Sequence, residues 1–144
     1  MSEMSEIVRP VVVVADDDRD ICELVRMQLT RHEFQVFTAD NGETALKLIG
    51  LHRPVVALLD IMMPKLSGLA VARRVRADPA TSQTGIVLFS ARSTFGVEDD
   101  VDEIGVDDYI SKPFSPQDLV QRIKTVINHR QTNKQTNRPN HDPC

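Results

Sequence analysis

The chain has 144 residues, room for one domain and little more. Hydrophobic residues make up 41% and aromatics only 4%, with no Trp, so any core must be built from Val, Leu, Ile, Ala and Met. A formal net charge of −4 argues against direct binding to nucleic acid, and no apolar run is long enough to cross a membrane.

Residues 1–9 read as a loose polar lead with no apolar signal core, which suits a cytoplasmic protein. Residues 11–14 are a run of valines, closed by Ala15 and three acids. A run without alternation suits a strand covered on both faces, as in a parallel sheet. Asp18 is placed to cap a helix in which Ile21, Leu24, Val25 and Leu29 recur at helical spacing. Residues 34–39 read as a second strand. Asn41-Gly42 breaks the chain, and Ala45, Leu46, Leu48 and Ile49 mark a second helix that Gly50 is expected to stop.

Residues 55–59 form a third apolar run, ending at Asp60. Residues 62–68 hold Pro64 and Gly68 and read as a loop. Leu69, Ala72 and Val75 give a third helical face, ended by Asp78-Pro79. Residues 86–89 are a fourth strand ending at Ser90, preceded by Gly85, which should leave the start of that strand loose. Residues 98–103 hold five acids in six and suit a short fourth helix. Residues 108–111 make a fifth strand ending at Lys112-Pro113. Ser115, Pro116 and Asp118 announce the last helix by its N-cap, first helical position and capping box. Leu119, Val120, Ile123, Val126 and Ile127 are its buried face. After Arg130 the periodicity stops, so a domain at 10–130 and a disordered polar tail at 131–144 are expected. Cys22 reads as a small buried or bordering thiol and Cys144 as a free end, and the four histidines at 32, 52, 129 and 141 should be solvated.

Five alternations of strand and helix predict a three-layer α/β domain with a parallel sheet. The chemistry-bearing residues fall at strand ends: Asp16 and Asp17, Asp60, Ser90 and Lys112. In an open parallel sheet the carboxyl ends of the strands share one edge, where ligands bind. Three carboxylates gathered there repel one another, and a hard divalent cation relieves the repulsion. Mg²⁺ takes one or two carboxylates plus a phosphate, which leaves a carboxylate free as a nucleophile. A lysine and a hydroxyl to hold phosphoryl oxygens complete what phosphoryl transfer needs.

The pieces ADDD, LLDIMMPKLSG, LFSAR and GVDDYISKPF, in that order and each at a strand end, resemble the receiver domain of bacterial response regulators. The resemblance runs from about Val11 to Arg130. It implies the flavodoxin-like doubly wound fold, with five parallel strands in the order 2-1-3-4-5. It implies that Asp60 accepts a phosphoryl group, that Asp16, Asp17, Asp60 and the backbone carbonyl of Met62 bind Mg²⁺, and that Ser90 and Lys112 contact the phosphoryl oxygens. Lys112 is implied to precede a cis Pro113, and Tyr109 to change rotamer with Ser90. The implied donor is a sensor histidine kinase or phosphotransfer protein, and the implied reader a downstream protein effector. Met62 and Arg92, two places after the acceptor and the hydroxyl residue, imply slow loss of the phosphoryl group.

Two other functions compete. Asp16-Asp17-Asp18 holds the DxD spacing of haloacid-dehalogenase-type phosphatases, although such an enzyme would leave Asp60 without a role. A receiver-like interaction module that is never phosphorylated would need none of the site residues. The acids at 98–103 set like charges three and four apart, which predicts a frayed fourth helix, a monomer and a basic partner surface.

Overall fold

Three apolar segments, 11–15, 56–60 and 85–90, form the centre of one parallel sheet because they are buried on both faces, and two half-exposed segments, 35–39 and 108–111, complete its edges. The computed structural model describes residues 9–90 and 102–136. Residues 1–8 of the polar lead, Arg92, the acidic segment up to residue 101 and the tail from residue 137 lie outside them, and so does the expected fraying of a fourth helix. Residues 102–104 are helical. The strands are β1 (Val11–Ala15), β2 (Gln35–Ala39), β3 (Val56–Asp60), β4 (Gly85–Ser90) and β5 (Asp108–Ser111). The described helices are α1 (Arg19–Arg31), α2 (Gly42–His52), α3 (Gly68–Ala77) and α4 (Pro116–Thr136). All pairings are parallel and the sheet order is β2-β1-β3-β4-β5, as the sequence implied.

Side chains leave each strand alternately to two faces. Val12, Val14, Leu58 and Phe89 pack with Leu29 of α1 and Leu119 and Ile123 of α4 on one face. Val13, Leu59, Ile86 and Leu88 pack with Ile49 of α2 and Val71 and Val75 of α3 on the other. Each fully buried Leu, Ile or Val contributes about 1.5–3 kcal/mol against exposure, and this double core holds the sheet between its two helical layers.

Local signals begin the helices. Asp18 accepts from the N–H groups of Asp20 and Ile21 at the start of α1, Asn41 from Thr44 at α2, and Ser67 from Ala70 at α3. Ser115 Oγ accepts from Asp118 N–H at 3.3 Å, with Pro116 first in the helix. The ends depart from expectation in two places. Gly50 does not stop α2, which runs to His52; Arg53 closes it in the left-handed conformation, φ 46°, with its N–H bonded to Ile49 O. The helix α4 does not stop at Arg130 but extends to Thr136, so residues 131–136 of the expected disordered tail are helical. A formed helix adds residues at little cost until a breaker intervenes, and the first proline after Pro116 is Pro139.

Gly85 corrects a third reading. A Cβ there would lie 2.7 Å from Val126 Cγ1 and 3.1 Å from Val55 O. Its N–H donates to Val55 O at 2.9 Å. The start of β4 is therefore tight, and glycine is what lets α4 press against it. Gly85→Pro should lose the bond and collide with the helix, costing about 3 kcal/mol in urea unfolding. An unchanged unfolding midpoint would contradict this packing.

Candidate functional site

The strand order turns around between β1 and β3. Connections leave β1 towards β2 and leave β3 towards β4, so a crevice opens at the carboxyl ends of β1 and β3. Asp16 directly follows β1, and Asp60 is the last residue of β3. Both are buried, at 1% and 5% exposure, while Asp17 is exposed. Lys112 arrives from the end of β5. Its Nζ donates to Asp16 Oδ2 at 2.6 Å and lies 3.5 Å from Asp60 Oδ2. The other oxygen of each buried carboxylate is held by backbone. Asp16 Oδ1 accepts from Asp18 N–H at 2.9 Å, and Asp60 Oδ1 accepts from Met62 N–H at 3.3 Å. Each acid thus turns one oxygen to the chain and one to the ammonium.

The structure brings Asp16, Asp17, Asp60 and Lys112 together. One carboxylate oxygen from each of the three acids lies within 4.8 Å of the others. Ser90 is buried at the end of β4, and its carbonyl accepts from Lys112 N–H at 2.8 Å. Met62 follows Asp60 on the loop to α3, with its side chain 55% exposed. The Lys112-Pro113 bond is cis. Tyr109 is half-buried and packs on the α2–α3 face of the sheet.

Three contributors escaped the sequence reading. Phe89 lies under the lysine, its ring centroid 4.8 Å from Nζ, and adds a cation–π attraction. Cys22 Sγ donates to the carbonyl of Asp16 at 3.3 Å. Burial, and then the charge of Asp16, pushes that thiol up to about 11, so it stays protonated and able to donate. A Cβ on Gly68 would lie 2.3 Å from Asp60 O, so only glycine lets α3 begin against the backbone of the acid. The glycine was legible; the backbone it approaches was not. His52 is also not simply solvated, because its ring stacks on Phe37 at 3.8 Å.

Burial raises the Asp60 carboxyl from 3.8 to about 6, helped by the charge of Asp16 and opposed by Lys112. Burial works against the Lys112 ammonium, but its hydrogen bond to Asp16 and the charges of Asp16 and Asp60 outweigh it and hold the pKa above the ordinary lysine value. The raised Asp60 pKa has a consequence for stability. The folded state binds this proton more tightly than the unfolded chain does, so the contribution is present below pH 3.8 and lost as pH rises through about 6. In metal-free buffer, wild type should lose roughly 2 kcal/mol relative to Asp60→Asn between pH 4 and 7. A difference independent of pH would refute the burial argument.

The donor set suits a hard cation: oxygen ligands only, close together, at the open end of the crevice. The family described as the response regulator receiver domain matches residues 12–124. The phosphate regulon transcriptional regulatory protein PhoB of Pseudomonas aeruginosa is 36% identical over 119 residues, which cover 81% of this chain and 51% of that protein. The transcriptional regulatory protein SrrA of Staphylococcus aureus is 34% identical over 121 residues, covering 84% of this chain and 49% of that one. The chain therefore spans about half the length of these curated relatives. The solved receiver domain of the Francisella response regulator 1452 superposes with a TM-score of 0.76 at 29% identity, over 84% of this chain and 98% of that one.

Proposed function

Because the chain belongs to the response regulator receiver domain family, we propose that it is a phosphorylation-dependent signalling switch that takes a phosphoryl group on Asp60. The observation that carries the reading is the meeting of Asp16, Asp17, Asp60 and Lys112 at the carboxyl ends of β1, β3 and β5. The donor is a histidine kinase or a phosphotransfer protein, and the output passes to a protein effector. The chain is an acceptor that works in the cytoplasm as a monomer, rather than an enzyme that turns over a substrate.

The geometry supports the roles of Asp60 and Lys112, and the family resemblance suggests those of Ser90, Tyr109 and the Met62 carbonyl. Asp60 Oδ2 is the nucleophile, because Oδ1 is held by Met62 N–H. It attacks the phosphorus in line as the bond from phosphorus to the donor breaks. Lys112 is near enough to leave Asp16 and hold a phosphoryl oxygen as a point charge. Ser90 supplies a hydroxyl at the end of the neighbouring strand, and Tyr109 follows its movement. Asp16, Asp17, Asp60 and the Met62 carbonyl would hold Mg²⁺, which supplies positive charge against the phosphoryl oxygens. Without metal, burial and then the charge of Asp16 raise the Asp60 carboxyl to about 6, so the ionised nucleophile is favoured above that pH.

Reaction with acetyl phosphate, followed by mapping of the labelled residue, tests this reading. Label on Asp60 supports it. Label on Asp16 would indicate a phosphatase-type nucleophile, and no label an interaction module.

A further inference from the structure

We propose that Phe89 is a positioning residue, whose ring is the seat on which the Lys112 ammonium passes from Asp16 to the phosphoryl group; the proposal rests on Asp60 being the acceptor. Asp60 and Phe89 stand level with one another across β3 and β4. Lys112 Nζ lies over the Phe89 ring, 4.8 Å from its centroid, within reach of the negative face. The ring is itself held in place. It is fully buried in the core shared with α1 and α4, and the Phe114 ring meets it edge-on, with centroids 5.8 Å apart.

The ammonium has to change partners in the reaction. It donates to Asp16 Oδ2 at 2.6 Å and lies 3.5 Å from Asp60 Oδ2, the oxygen that takes the phosphoryl group. To hold a phosphoryl oxygen it must give up the short bond to Asp16. A lysine released there has a long flexible stem and water within reach, since its side chain is 15% exposed. A hydrogen-bond acceptor beneath it would fix the ammonium at one point. A π face attracts a cation by its quadrupole and asks for no single donor direction. The ring thus keeps the ammonium in the site while it exchanges one oxygen for the next. Leucine at this position would keep the core apolar but offer no such face.

The experiment places phenylalanines with one or three ring fluorines at position 89 of the full chain. Fluorine drains electron density from the ring face and changes ring size little, so the attraction weakens while the packing stays. Phosphoryl uptake from acetyl phosphate is timed at saturating Mg²⁺. The rate should fall stepwise with fluorine, roughly tenfold for three. The same three fluorines on Phe34 should leave it unchanged. Phe34 is buried in the same core, but next to the amino end of β2, away from the site. Proton NMR gives a second readout, independent of uptake. The ε-methylene protons of Lys112 should be shifted upfield by the ring current, with and without Mg²⁺, and should lose that shift in Phe89→Leu. Equal rates across the fluorine series overturn the proposal. So does an equal fall with fluorinated Phe34, or an upfield shift that vanishes when Mg²⁺ is added. Absence of label from the unmodified chain would remove the acceptor reading and this proposal with it, whereas label whose rate ignores the fluorines removes the proposal alone.

Discussion

Asp60→Asn should leave the chain folded and take up no phosphoryl group from acetyl phosphate in the presence of Mg²⁺. The substitution preserves shape. Asn Oδ1 still accepts from Met62 N–H, and Nδ2 replaces the oxygen that faces Lys112 and Asp16. A buried negative charge disappears, so metal-free stability at neutral pH should rise rather than fall, by roughly 2 kcal/mol for a group raised to about 6. What is lost is chemical. An amide oxygen is a poor nucleophile towards phosphorus, and the other buried carboxylate of the site is not free to replace it. Asp16 is held by Lys112 at 2.6 Å on one oxygen and by Asp18 N–H on the other. Intact protein mass spectrometry, with a denaturation curve on the same sample, reads both effects. Undiminished labelling of the folded variant would sink the assignment of Asp60.

The sequence carried the sheet because its three central strands, β1, β3 and β4, are nearly continuous apolar runs buried on both faces, whereas the edge strands β2 and β5 mix polar residues with apolar ones. It carried the helix starts because caps are local chemistry: Asp18, Ser67 and Ser115 each bond to N–H groups two or three residues on. It was weaker at helix ends, where the free energies of stopping and continuing differ little. Gly50 could have closed α2 and does not, because Arg53, the residue after His52, takes the left-handed conformation and caps the helix there. The site residues were legible as strand-end residues, but their pairing was not. Lys112 closer to Asp16 than to Asp60, Phe89 beneath the ammonium, and Gly85 against Val126 are contacts between segments far apart in the chain. Such contacts depend on how closely layers approach, and no local pattern encodes that distance.

Adding Mg²⁺ at neutral pH should raise the melting temperature, and Asp17→Ala should abolish the rise. Among the described residues the three acids oppose one ammonium, Lys112, which touches Asp16 and lies 3.5 Å from Asp60. With all three ionised the cluster keeps a surplus of negative charge in a place only Asp17 shares with solvent. A divalent cation that binds the folded cluster and not the unfolded chain stabilises by about 2.7 kcal/mol at a hundred times its dissociation constant. For a domain of this size that is roughly 8–10 °C in melting temperature. Asp17→Ala removes one exposed ligand without opening the core, so the variant should fold. Its metal-free melting temperature should equal or exceed that of wild type, because one repelling charge is gone. Asp20→Ala removes an exposed acid from the first turn of α1, outside the cluster, and should keep the full Mg²⁺ response. The response should also shrink as pH falls through about 6, where a proton on Asp60 competes with the cation. Differential scanning calorimetry across Mg²⁺ concentrations and two pH values measures all of this. A melting curve indifferent to Mg²⁺, or an equal response in Asp17→Ala, would mean that the three carboxylates do not form a metal site.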